Sequence, residues 1–236
     1  MKNTILLILC LFLLSCASGP KMTLKEKCSK ATKAREMAIS VLAIDLTQAA
    51  KYATEAVRLC PNGINFAVAG YIDAKKGWLD LGVQMAREGW KLEPQNPDVL
   101  TYCGLTYAEA GKFDQAISFL GKALNYRPKD PLARETLAEI YIVRRELAKA
   151  EVELLKNINN NPTFPKSYYF LGKLYMDEML EPEKAFNFLS KYLLLDAQNV
   201  YGYVEDTRRR LVELKQTMQE NERNKEAPHP RKKFSF

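Results

Sequence analysis

The side chains that could do chemistry in this chain are few. Its one histidine, His229, stands between Pro228 and Pro230. Nucleophilic catalysis by serine or cysteine needs a base within hydrogen-bond reach, and no other histidine exists to serve. A metal site needs clustered His, Cys or carboxylate ligands, and no such spacing occurs. Asp177-Glu178 is a pair of acids that reads as helix-end charge. Gly111-Lys112 lacks the further glycines and the preceding strand of a phosphate-binding loop. The expectation is therefore no enzyme, no cofactor, no metal and no small-molecule substrate. The five cysteines, Cys10, Cys16, Cys28, Cys60 and Cys103, remain, and their meaning depends on the elements that carry them.

Those elements follow a 34-residue lattice. Pro94, Pro128 and Pro162 keep this step, as do Tyr107, Tyr141 and Tyr175, and Gly70, Gly104, Ala138 and Gly172. Ala116 and Ala150 keep it too, while Ala185 arrives one residue late. A fixed period of this size marks a stacked repeat. The clearest unit predicts helix A over Pro97 to Ala110, a turn at Gly111-Lys112, and helix B over Phe113 to Tyr126, with Pro128 ending the pair. Within it Gly104, Tyr107, Ala116, Leu120, Ala123 and Pro128 resemble the tetratricopeptide (TPR) consensus. Gly104 and Ala116 are expected where the two helices cross closely. The second unit departs from the pattern with Asp73 and Gly82, and the fourth with Asn157. The fifth has one extra residue in its Met179 to Pro182 turn. The first keeps Ala49, Ala53, Ala56 and Pro61 in helix B, but Thr23 to Ile44 reads only as a long helix.

The fold class is thus an all-α TPR superhelical solenoid of about five units plus a capping helix. The units run over 23–62, 63–96, 97–130, 131–164 and 165–199. A stack must cover its exposed apolar end. Residues 200–221 can do so, with Val200, Val204, Leu211, Leu214 and Met218 on one face. Residues 222–236 lose periodicity and read as a disordered basic tail. Its apolar end, Phe234-Ser235-Phe236, could be read by strand addition, although a plain tail end is the simpler reading.

The N-terminus supplies the address. Lys2 precedes an apolar run from Ile5 to Leu14, too short for the ~20 residues that cross a bilayer. Residues 1–15 read as a signal peptide. The closing Leu13-Leu14-Ser15-Cys16 resembles the lipobox of bacterial lipoproteins. That resemblance implies cleavage before Cys16 and acylation of its thiol, with ~0.8 kcal/mol of anchoring per buried methylene. The alternative is an ordinary cleaved leader with a chance cysteine. Ala17 after the cysteine resembles outer-membrane sorting, so the expected place is the outer membrane, facing the periplasm. Residues 16–22 form a short tether, and six extended residues reach only ~20 Å. The formal net charge of +7 favours weak attraction to anionic surfaces over nucleic-acid recognition.

The other cysteines can then be read. Cys10 leaves with the leader. Cys103 takes a position usually held by leucine and is expected to be a buried, inert thiol. A hairpin turn near Asp45 lies 17 residues after Cys28 and 15 before Cys60. An antiparallel helix pair brings these ends together, and the periplasm is oxidising. A Cys28–Cys60 disulfide is expected; the alternative is two unpaired thiols.

Binding is the remaining function. The TPR resemblance implies a concave surface from positions two, five, nine and twelve of each helix A. The second unit places Ile64, Ala67, Tyr71 and Ala74 there, and the third Asp98, Thr101, Leu105 and Ala108. The fourth contributes Leu132, Glu135, Glu139 and Ile142, and the fifth Lys166, Tyr169, Lys173 and Met176. The expected partner-binding set is Tyr71, Asp98, Thr101, Leu105, Glu135, Glu139, Ile142, Tyr169, Lys173 and Met176. Leu105, Ile142 and Met176 could equally pack against neighbouring helices. An apolar groove with a few charges suits an amphipathic helix or extended peptide. The combination of lipobox and TPR array resembles the pilotins of type IV pili, which guide secretins to the outer membrane. It also resembles TPR lipoproteins that scaffold cell-wall hydrolases and proteases. A third reading is a structural envelope protein docking anionic surfaces.

Overall fold

The structure, a computed structural model, describes residues 22–226. The leader, Cys16, most of the tether, and the tail from residue 227 lie outside them. Eleven helices and no strands occur among the described residues. In chain order they are α1 (Leu24–Val41), α2 (Leu46–Leu59), α3 (Gly63–Lys75), α4 (Leu79–Leu92), α5 (Pro97–Glu109) and α6 (Phe113–Tyr126). They continue with α7 (Pro131–Val143), α8 (Leu147–Asn160), α9 (Pro165–Asp177), α10 (Pro182–Leu195) and α11 (Val204–Glu226). Consecutive pairs form five antiparallel hairpins, stacked side by side, with α11 packed on α10.

Local chemistry fixes the helix starts. Thr23 and Glu26 form a reciprocal capping box on α1. Asp45, Asn62, Asn96 and Asp130 cap α2, α3, α5 and α7 with side-chain oxygens. Pro97, Pro131, Pro165 and Pro182 occupy the first helical turn, where a missing N–H costs nothing. The A-to-B turns of the second to fifth units reverse through one residue of positive φ: Gly77, Gly111, Arg145 and Leu180. The first three keep the 34-residue step and Leu180 comes one later, so the extra residue of the fifth unit sits in this turn. An added Cβ at Gly77 or Gly111 would meet open space; glycine is there for its backbone conformation.

Each A helix from α3 to α9 is buried over most of its surface, whereas its B helix buries one stripe. In α5 the run Cys103 to Tyr107 is buried, while α6 buries Ala116, Phe119, Leu120 and Ala123. The close crossings take two forms. A Cβ on Gly104 would come within 2.5 Å of Leu120, and one on Gly172 within 2.6 Å of Leu189. There the glycine accepts a leucine side chain from helix B. In the second unit Gly70 faces Gly82, backbone against backbone. The Gly82 departure from the consensus is thus matched by its partner. Tyr107 stacks on Phe119 and Tyr175 on Phe188, with centroids 5.2 and 5.6 Å apart.

The terminal helix differs from the expected cap at both ends. It starts at Val204, after a turn in which Asp196 accepts from Tyr192 Oη, Val200 N and Tyr201 N. Val200 is exposed in that turn, while Val204 and Leu214 are buried. It continues to Glu226, five residues past Asn221. Glu222, Arg223 and Lys225 are good helix formers, and Pro228 is the first residue that forbids continuation.

Cys28 and Cys60 form a disulfide, with Cα atoms 4.9 Å apart, joining α1 to the end of α2. Cys103 is free and buried. Its thiol donates to the Ala86 carbonyl at 3.2 Å, and burial pushes it up to about 12, which leaves little thiolate for reaction.

Candidate functional site: a charged concave groove

The inner surface of the stack carries two adjoining hollows. The first, of 390 Å³, is lined by Tyr71, Leu105, Glu135 and Glu139 from the A helices of the second, third and fourth units, together with Lys166 from the fifth. The second, of 470 Å³, takes Glu139, Ile142 and Lys173 together with Phe170. Glu139 and Val143 line both. Six of the ten residues named from the repeat pattern therefore come together: Tyr71, Leu105, Glu135, Glu139, Ile142 and Lys173.

The other four lie elsewhere, for reasons of tertiary packing. Thr101 is buried and donates to Asp130 Oδ2 at 3.1 Å, so the cap of the next unit closes over it. Asp98 forms an ion pair with Arg127 at 2.6 Å. Tyr169 is only 6% exposed. Its ring stacks on Tyr203 at 4.2 Å and its hydroxyl donates to Asp206 at 2.9 Å, which makes it part of the seat of α11. Met176 Sδ accepts from the Arg210 guanidinium at 3.6 Å.

Sequence reasoning missed Lys75, Glu109, Val143 and Asp177 as groove residues. All four hold position thirteen of an A helix and keep the 34-residue step. One more helical residue belongs to the concave pattern. Lys75 and Glu109, neighbours in this row, pair across units at 3.0 Å. Tyr203, from the turn before α11, gives no repeat signal because it lies beyond the array.

The floor of the first hollow holds a buried ion pair. Glu135 is 1% exposed, and its Oε1 receives the Lys166 ammonium. That ammonium also lies 5.7 Å from the Phe170 ring centroid and 5.8 Å from that of Tyr201. Burial pushes the Glu135 carboxyl from 4.5 up to about 7, against the pull of Lys166. Burial also raises Glu139, again opposed by Lys166. Burial works against the Lys166 ammonium, yet Glu135 and Glu139 hold its pKa above the ordinary lysine range. Tyr71 is pushed well up by burial and then by Glu109, Glu139 and Glu135.

A measurable pH dependence follows. The folded state holds the Glu135 proton more tightly than the unfolded chain. The resulting stability is complete below about 4.5 and is lost as pH rises through about 7. Relative to Glu135→Gln, the wild type is expected to lose about 2 kcal/mol or more between pH 4.5 and 7.5. Urea titrations of both proteins across this range check it; parallel curves would refute the raised carboxyl.

Among the described residues, no group of three or more His, Cys, Asp or Glu could hold a metal ion. No helix among them is long and apolar enough to cross a membrane.

The tetratricopeptide repeat family model matches residues 107–174. TTC0263, a thermophilic TPR protein of Thermus thermophilus, superposes with a TM-score of 0.66 at 17% identity, over 78% of this chain and 98% of that one. The fold is a TPR-like solenoid. The pilF protein of Pseudomonas aeruginosa gives a TM-score of 0.59 at 15% identity, over 82% of this chain and 92% of its own. MamA of Desulfovibrio magneticus RS-1 gives 0.52 at 19% identity, over 72% and 96%. These likenesses are of fold. A BBSome complex member, BBS4 of Bos taurus, is 30% identical over 73 residues, 31% of this chain but only 14% of that protein's length.

Proposed function

We propose that this protein is an adaptor of the bacterial envelope, held to the outer membrane by lipid on Cys16. Its groove takes a segment of a partner protein. The observation that carries the reading is the pair of adjoining hollows on the concave face of a TPR-like solenoid. Such a surface, charged in the first hollow and more apolar in the second, suits recognition of a peptide segment. The Cys28–Cys60 bridge suits an oxidising compartment, and the lipobox-like Leu13 to Cys16 supplies the anchor. The partner favoured by resemblance is a secretin, with this chain acting as its pilotin.

The experiment places a photo-crosslinking residue at Val143, which is 63% exposed and lines both hollows. Crosslinking in intact cells, followed by mass spectrometry, is expected to yield one dominant secretin. Val143→Arg should reduce that yield at least ~10-fold by putting charge into both hollows, without loss of thermal stability. Recovery of hydrolases or proteases would instead make the protein a scaffold for them. Absence of any specific protein, with salt-sensitive retention of envelope material, would favour surface docking. Cys16→Ser should move the protein to the soluble periplasm or leave it as precursor; unchanged membrane retention would refute the anchor.

A further inference from the structure

The first unit leaves a row of lysines unanswered. Helix α1 has five basic residues, Lys25, Lys27, Lys30, Lys33 and Arg35, against two acids, Glu26 and Glu36. Arg35 turns inward and donates to Asn65. The four lysines are exposed. By helical spacing Lys25, Lys33 and Met37 stand opposite the buried Ala31 and Ala38, with Lys30 beside them. Glu26 is engaged by the cap, where its carboxylate accepts from Thr23 N and Oγ1. Among the described residues the first unit's one ion pair joins Arg58 to Glu55 on α2. Lys27, Lys30 and Lys33 follow at steps of three, and like charges so placed repel along a helix. An anionic surface would relieve that repulsion.

Three further observations say what kind of surface this is. Among the described residues α1 packs on α2 and, at a few positions, on α3, so its outer side is unpartnered. Large apolar side chains are exposed at both ends of the row: Leu24 at its start, and Met37, Ile39 and Ile44 at its finish. Basic residues between exposed apolar ones suit a helix lying in a lipid headgroup layer. Six residues, Ala17 to Met22, link Cys16 to the cap of α1, and they reach only ~20 Å. The Cys28–Cys60 bridge ties α1 to α2, so the row has a fixed place on the stack.

We propose that the outer side of α1 docks on anionic phospholipid headgroups of the membrane that holds Cys16. This rests on the lipid anchor and adds an orientation to it. The first unit lies against the lipid, and the two hollows, built from later units, stand clear of it. The anchor supplies nearness, and the lysines select negatively charged lipid.

The test is vesicle co-sedimentation of the mature chain carrying Cys16→Ser, which makes the reading independent of acylation. Vesicles of phosphatidylcholine containing about one third phosphatidylglycerol should bind the protein, and phosphatidylcholine alone should not. Raising salt from about 50 to about 300 mM should release it. Lys30→Gln with Lys33→Gln should weaken binding about 20-fold, near 5-fold for each lysine, with an unchanged melting curve. Lys129→Gln with Lys191→Gln removes the same charge from exposed positions of later units and should weaken binding less than 2-fold. Absence of binding to the charged vesicles, equal binding to both lipids, or equal losses in the two double variants would overturn the inference. None of these results bears on the anchor, which the membrane retention of Cys16→Ser in cells tests separately.

Discussion

Gly82→Val is expected to destabilise the protein by about 3 kcal/mol or more, the upper end for overpacking a tight interface. A Cβ at Gly82 would lie 2.6 Å from the Gly70 carbonyl oxygen and 2.9 Å from the Ala74 nitrogen. These are backbone atoms of α3, so no side-chain rotation relieves the clash. The same holds at Gly70, and at Gly89 against the Gly63 carbonyl, 2.6 Å away. The α3–α4 crossing is therefore set by glycine backbones along its length, and widening it would push the second unit off its neighbours. Gly121 is the control. It lies in the middle of α6 with nothing within 4 Å of an added Cβ. Gly121→Ala should raise stability by about 0.5–1 kcal/mol through helix propensity. Thermal melts of the two variants should diverge in opposite directions; a Gly82→Val protein melting with the wild type would refute the backbone-contact account.

Reduction of the Cys28–Cys60 bridge is expected to free α1 while the rest of the stack persists. The bridge closes a sequence separation of 32 residues, for which chain entropy gives about 3–4 kcal/mol. Without it α1 is held weakly. Its buried residues are Ala31 and Ala38, and it shares one hydrogen bond, Arg35 to Asn65 at 3.0 Å, with α3. A terminal element of a repeat stack lacks a neighbour on one side and opens first. Hydrogen exchange with and without reductant should show amides of α1 losing protection about 100-fold or more, while those of α5 to α9 keep theirs. Equal protection of α1 in both conditions would show that alanine packing suffices. Alanine at both cysteines should reproduce the reduced pattern.

The helices are legible in the sequence because their limits are local. Phe113 and Tyr126 bound α6 as the lattice predicts, since a turn glycine and a terminating proline act on their own backbone. Even the irregular turn at Met179 to Pro182 reads one residue long. Groove membership is legible in part. Position thirteen falls outside the expected concave pattern, although Lys75, Glu109, Val143 and Asp177 repeat as faithfully as the prolines. Tyr169 and Thr101 have the right position and the wrong environment. A periodic pattern cannot see that Asp130 of the following cap, or Tyr203 beyond the array, closes over them.

The sequence by itself determined the repeat length, the pairing of helices, the A-to-B turns and the poverty of catalytic groups. Each of these follows from hydrogen bonding, capping and steric rules within a few residues. Only the tertiary structure decided that Gly70 and Gly82 share one crossing, that position thirteen of the A helices faces the groove, and that Glu135 is buried against Lys166. Those facts depend on how far successive hairpins rotate and which side chains the next unit covers. That rotation is a sum of small packing choices between residues one repeat apart, and no single segment of the chain encodes it.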